Sequence, residues 1–125
     1  MPKLTGAGLQ AAADLVSVTV AAAAEEVLAA CLTLDTFSTW RNQRGLYVVD
    51  LFVDSKARSR GLGQRLLAHV AAAGLARGLT FIKLEVDHAN DGALRFYRRL
   101  GFAHKADDQL LVMEQADLTT FAARG

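Results

Sequence analysis

The passage from residue 46 to residue 86 restricts the fold more than any other part of the chain. LYVVDLFVD (46–54) is an almost unbroken apolar run rich in valine. It reads as a strand covered on both faces, because a strand with one wet face would alternate. After SKARSRGLG the apolar period changes, and Leu62, Leu66, Leu67, Val70 and Ala71 mark one face of a helix. That helix is expected to end near Arg77-Gly78, with Gly78 in the left-handed position that closes many helices. TFIKLEV (80–86) then returns to strand character. A strand–helix–strand passage implies a right-handed crossover and at least one parallel strand pair.

The flanking segments complete a mixed order of strands and helices. Residues 5–14 (TGAGLQAAAD) suit a short helix, and LVSVTVA (15–21) a half-buried strand with Val16, Val18 and Val20 on one face. AAAAEEVLAACLTL (21–34) has alanine propensity for helix but β-branched neighbours; the preferred reading is a hairpin turning near Ala24-Glu25-Glu26. DTFSTWRNQRG (35–45) reads as a strand end and a polar turn. Asn90 is a natural N-cap for a helix carrying Ala93, Leu94, Tyr97 and Leu100 inward, stopped by Gly101. QLLVME (109–114) reads as a last strand and ADLTTFAAR as a tail.

Composition excludes several classes. A chain of 125 residues is the size of one domain, expected to span 1–125. A net charge of +1 gives no electrostatic reason for nucleic acid or an anionic membrane as partner. No apolar stretch nears the ~20 residues of a membrane span. The start, MPKLTGAG, lacks the apolar core of a signal peptide. One cysteine, Cys31, builds no disulfide framework and reads as a reduced core residue. No metal site is expected, and a cytoplasmic location is.

The junction RSRGLG carries the chemistry. A helix entrance offers free N–H groups and partial positive charge, glycines let a phosphate approach the backbone, and Arg58 and Arg60 add charge. On glycine spacing alone, a tight turn with solvated arginines is the better account. Neither G-x-x-x-x-G-K-[ST] nor G-x-G-x-x-G is present, so a nucleotide P-loop or Rossmann site has no support.

The pattern that fits is R-x-x-G-x-G, at Arg58-Ser59-Arg60-Gly61-Leu62-Gly63 after the strand LFV. With it the chain resembles the GNAT superfamily of acetyl-CoA-dependent N-acetyltransferases. LEVDHANDGALRFYRRLGF (84–102) resembles that family's second signature, and the two occur in the family's order. STWRNQRGLYVVDLFV and LLVMEQADLTTFA look most like the diamine acetyltransferase branch.

The resemblance implies an α/β (α+β) fold of GNAT type, a mixed, mostly antiparallel sheet with a splayed parallel strand pair and flanking helices. It implies that the backbone of Leu51, Phe52 and Val53 pairs with the pantetheine arm of acetyl-CoA, like an added strand. It assigns the pyrophosphate to the turn of Arg58, Ser59, Arg60, Gly61, Leu62 and Gly63, with Ser59 where a glycine is common. Asn90 matches a residue that contacts the cofactor arm. Tyr97 matches the general acid that protonates the coenzyme A thiolate, which a phenol can do. His88 and His104 read as loop residues, and Arg95, Arg98 and Arg99 as a solvated helix face.

Two departures stand out. In diamine-type relatives the strand reads Tyr-Leu-Glu-Asp, and its Glu is the proposed base; here the tetrad is Tyr47-Val48-Val49-Asp50, with Val49 in the Glu position. Asp50 is then the remaining candidate base, but neighbouring strand residues face opposite sides, so it reaches the same cleft only if a bulge re-aims it. The usual first strand and two helices are also lacking before residue 15, which leaves apolar surface that a homodimer would cover. The expected function is acetyl transfer from acetyl-CoA to a small primary amine, polyamine-like by branch. The competing readings are a non-catalytic acyl-CoA-binding module and an interaction protein that keeps only the fold.

Overall fold

A computed structural model describes residues 4–125, the side chain of Ser59 excepted, as two compact units, one running to Asn90 and the other covering Asp91–Gly125. In the first unit the order is α1 (Gly6–Ala11), β1 (Ser17–Ala23), β2 (Glu26–Ser38), β3 (Gln43–Val53), a 3₁₀ turn (Ser55–Arg60), α2 (Leu62–Ala76) and β4 (Ile82–Lys83). The four strands form one sheet in sequence order. β1–β2 and β2–β3 are antiparallel, and β3–β4 is the parallel pair that the crossover requires.

The alanine-rich stretch is the expected hairpin. β1 and β2 meet at Ala24-Glu25, with Ala24 in the left-handed region at φ 55°. The β2–β3 turn is closed the same way by Asn42 at φ 53°. α2 lies on one face of the sheet and buries Leu62, Leu66, Leu67 and Val70, each worth about 1.5–3 kcal/mol against exposure. Opposite them are Cys31 on β2 and Leu46 and Val48 on β3, all buried. The helix ends as its sequence indicates: Gly78 sits at φ 86°, its N–H reaches the Leu75 carbonyl at 3.0 Å, and Leu79 N–H reaches the Gly74 carbonyl at 2.9 Å. Leu79 is buried beneath this cap, which satisfies the last carbonyls and fixes the exit toward β4.

Three expectations for this unit are corrected. β1 turns its valines away from α2: Val18 and Val20 are 45% and 50% exposed, while Thr19 is half-buried on the helix side. The period of two was right, but alternation alone does not say which face an edge strand turns toward its helix. β3 is covered on one face only, with Val49 and Phe52 exposed. TFIKLEV contributes just Ile82–Lys83 to the sheet, because its pairing with β3 does not extend beyond those two residues.

The second unit holds α3 (Asp91–Arg99) and α4 (Gln115–Ala122). Ala93, Leu94, Tyr97 and Leu100 are each half-buried, the face expected of α3, and Gly101 follows at φ 106°. QLLVME is not a strand, because it pairs with no other strand among the described residues, and Leu111 is 89% exposed. ADLTTFAAR is no loose tail, since most of it is α4.

Gly45 marks where β3 and the segment entering β4 approach closely. A Cβ there would collide with the Phe81 ring, over which the Arg41 guanidinium lies at 4.5 Å. Gly45→Ala is therefore expected to cost about 1–3 kcal/mol by overpacking. Denaturant unfolding checks this: the loss should shrink when Phe81→Ala is added, and simple additivity of the two changes would refute the contact as its cause.

Candidate functional site

Between β3 and α2 the chain makes a compact bridge. The Asp54 carboxylate accepts from Lys56 N–H at 2.9 Å and so starts the 3₁₀ turn, and Ala57 N–H bonds the Asp54 carbonyl at 2.9 Å. Arg58 Nε–H donates to the Val53 carbonyl at 3.2 Å, tying the basic turn to the strand end. Gly61 then adopts φ 66°, and no side chain caps the helix that follows. The first helical bond runs from Arg65 N–H to the Gly61 carbonyl at 3.1 Å. The N–H groups of Leu62, Gly63 and Gln64 precede it and end the helix as donors with partial positive charge. The tight strand-to-helix turn expected here is present; its 3₁₀ form over Ser55–Arg60 was not foreseen.

Above this bridge the sheet divides. β3 pairs with β2 as far as Val53, but with β4 only at Leu46↔Ile82 and Tyr47↔Lys83. From Val48 onward the β4 side of β3, including Leu51, Phe52 and Val53, has no paired strand among the described residues. An extended ligand can pair with backbone along such an open side.

The bulge that Asp50 needed is present. Leu32 pairs with Asp50, whereas Thr33 pairs with Val48, leaving Val49 as the extra residue. Paired residues share a face, so Val48 goes to the α2 side with Thr33, and Asp50 goes to the other side with Leu32. Without the bulge Val48 and Asp50 would share the α2 face. Asp50 Oδ1 accepts from Leu51 N–H at 2.9 Å, so the half-buried carboxylate is partly satisfied by its own strand. Its charge also acts on Cys31, whose thiol is raised to about 11, first by burial and second by Asp50.

A second carboxylate stands on this side and was missed from sequence. Tyr47 Oη–H donates to Glu85 Oε1 at 2.8 Å across the point where β3 and the chain after β4 separate. Lys83 Nζ lies 5.8 Å from the centre of the Tyr47 ring. Burial pushes the Tyr47 phenol up, and the Glu85 bond and charge add to it, reaching about 12. The alternation of Lys83 and Glu85 was a usable signal, but only the register of β4 against β3 tells that Glu85 meets Tyr47.

Asn90 closes the first unit, its N–H bonded to the Asp87 carbonyl at 2.8 Å, and directly precedes α3. Tyr97 lies in the second unit with its ring edge-on to Phe96 at 5.1 Å and to Phe102 at 5.4 Å. His88, His104, Arg95, Arg98 and Arg99 are exposed.

The Acetyltransferase (GNAT) family profile matches residues 8–102. The chain belongs to the GNAT family of acetyltransferases, whose members use acetyl-CoA as acetyl donor. It is 38% identical over 76 residues to a streptothricin acetyltransferase of Streptomyces lavendulae, covering 61% of this chain and 39% of that one. It is 32% identical over 66 residues to a thialysine N-epsilon-acetyltransferase of Bos taurus, covering 53% and 38%. The matches thus span under half the length of these curated relatives. An integron cassette protein from the mobile metagenome of V. cholerae superposes with a TM-score of 0.80 at 25% identity, over 86% of this chain and 67% of that one.

The Tyr47–Glu85 bond has a pH signature. The folded state holds the Tyr47 proton more tightly than an ordinary phenol, so this hydroxyl's contribution to stability is complete below about pH 10 and is lost as pH rises toward about 12. Tyrosinate absorbance of natively folded Tyr97→Phe protein isolates Tyr47. Its midpoint should lie near 12 and fall when Glu85→Gln is added; an ordinary midpoint in both proteins would contradict the bond.

Proposed function

We propose that the chain is a GNAT acetyltransferase domain that moves an acetyl group from acetyl-CoA to a small primary amine. What carries the reading is the continuity of two backbone surfaces, the open side of β3 and the N–H end of α2, joined by the Arg58 turn. Leu51, Phe52 and Val53 would pair with the pantetheine amides. The N–H groups at Gly61, Leu62 and Gly63, with Arg58, Ser59 and Arg60 beside them, would take the pyrophosphate. Asn90 would touch the arm between these ends.

The amine nitrogen attacks the thioester carbonyl carbon, the C–N bond forms, the C–S bond breaks, and the thiolate leaves with a proton. Tyr97 is the proposed donor of that proton, on the family resemblance. Asp50 and Glu85 are the candidate acceptors of the proton that the substrate ammonium must lose to become the attacking amine. Both occupy the face of the sheet opposite α2, and the bulge at Val49 compensates in part for the carboxylate lacking at that position. The amine acceptor is supported by the name of one relative, which specifies an ε-nitrogen. The Val49 substitution favours one alternative, an acyl-CoA-binding module without turnover.

The outward apolar residues Val18 and Val20 support a homodimer that covers the β1 edge of the sheet. A free, fully buried Cys31 is compatible with a reducing cytoplasm.

Calorimetry with acetyl-CoA, followed by thiol release with thialysine, lysine and a polyamine, tests the reading. Binding and turnover are expected, with kcat reduced roughly 10²-fold or more in Tyr97→Phe. Asp50→Asn and Glu85→Gln should each lower kcat, and the larger loss identifies the base. Absence of acetyl-CoA binding would end the reading, and binding without turnover would leave only the alternative. Light scattering at micromolar concentration should return the dimer mass; a monodisperse monomer would refute the homodimer.

A further inference from the structure

On the α2 side of the sheet, opposite Tyr47 and Asp50, the helix does not fill the angle it makes with β1 and β2. A cavity of about 500 Å³ remains there, open to solvent. That lies within the range of about 300–1,000 Å³ of small-molecule sites. His69, Val70, Ala73 and Gly74 line it from the helix.

Its floor is polar where the inner face of a sheet is ordinarily apolar. Ser17 and Thr33 are direct cross-strand partners on this face, and Thr19 lies two residues along β1. Thr33 is 4% exposed, and among the described residues its hydroxyl makes no hydrogen bond. No fully enclosed side-chain polar atom among the described residues lacks a partner, so this hydroxyl opens on the cavity. A buried hydroxyl without a protein partner costs about 1–3 kcal/mol unless water or a ligand satisfies it. β1 faces Ser17 and Thr19 inward and Val18 and Val20 outward, so the polar floor is continuous across two strands.

The charges at the rim select the sign of a ligand. Asp35 holds the Arg77 guanidinium through two bonds of 3.0 Å, so that pair is internally matched. Among the described residues Asp14 has no ion-pair partner, so its carboxylate is the unmatched charge of the lining. Three hydroxyls that both donate and accept, with one surplus negative charge, suit a compact molecule carrying several hydroxyls and an ammonium.

We propose that the cavity between α2 and the β1–β2 pair binds a small amino-polyol of amino-sugar size, at a site separate from the acetyl-transfer face. The hydroxyls of Ser17, Thr19 and Thr33 bond the polyol, and Asp14 pairs with its ammonium. Because the sheet lies between this cavity and Asp50, a ligand here is not placed to be the acetyl acceptor.

Calorimetry on the full chain with glucosamine, glucose and ethanolamine tests the site without depending on acetyl transfer. Glucosamine should bind, and glucose and ethanolamine, each with half of the recognised groups, should bind at least about fivefold more weakly, one hydrogen bond's worth. Thr33→Val and Asp14→Asn should each weaken glucosamine by about the same factor. Ala73→Leu, which fills the cavity from the helix side, should abolish glucosamine binding while leaving circular dichroism and acetyl-CoA titration unchanged. The proposal is overturned if the unmodified chain takes up no glucosamine, or if Ala73→Leu binds it undiminished.

Discussion

The unequal pairing of β3 governs the rest of the molecule. On one side it is zipped to β2 from Gln43 to Val53; on the other it holds β4 for only two residues. The close contact of Gly45 with Phe81 and the bond from Leu46 N–H to the Phe81 carbonyl, 2.8 Å, fix the strands at their joined end. Beyond Tyr47↔Lys83 no β4 residue pairs with β3, while Leu51 N–H bonds the Asp50 carboxylate and the Val53 carbonyl accepts from Arg58 Nε–H. The end of β3 runs on through the Arg58 turn into the uncapped start of α2. Strand edge and helix end are consecutive in the chain, so one cofactor can span both.

The bulge is a second consequence of how β3 is paired. Inserting Val49 reverses the side on which each later residue of β3 lies relative to those before it. Val48 can then complete the core under α2 while Asp50 reaches the opposite face. A carboxylate on the core face would need desolvation; beyond the bulge Asp50 takes a hydrogen bond from Leu51 N–H instead. Glu85 reaches the same side from the chain after β4, held by Tyr47. The family resemblance places a carboxylate at the Val49 position, and this chain carries acids one residue later and one strand over.

How much was legible in the sequence depended on whether the deciding force was local. The Gly78 cap, the turn at Ala24-Glu25 and the buried stripe of α2 follow from backbone sterics and helical period, and were read correctly. The orientation of β1 was not legible, because Val18 and Ser17 alternate equally well in either direction and only the α2–sheet packing chooses. QLLVME has all the local marks of a strand, yet a strand exists only with a partner, which is a tertiary fact. Of the candidate site, the turn and Asp50 were legible as motif and composition. The bulge and the Tyr47–Glu85 bond were not, since both depend on cross-strand register.

The central claim is that acetyl-CoA is held by the backbone of β3 and of the α2 entrance. Amide hydrogen exchange with and without acetyl-CoA measures it directly. Slowed exchange confined mainly to 51–53 and 61–64 is the predicted result. Unchanged exchange at these amides in a chain that binds acetyl-CoA would contradict it.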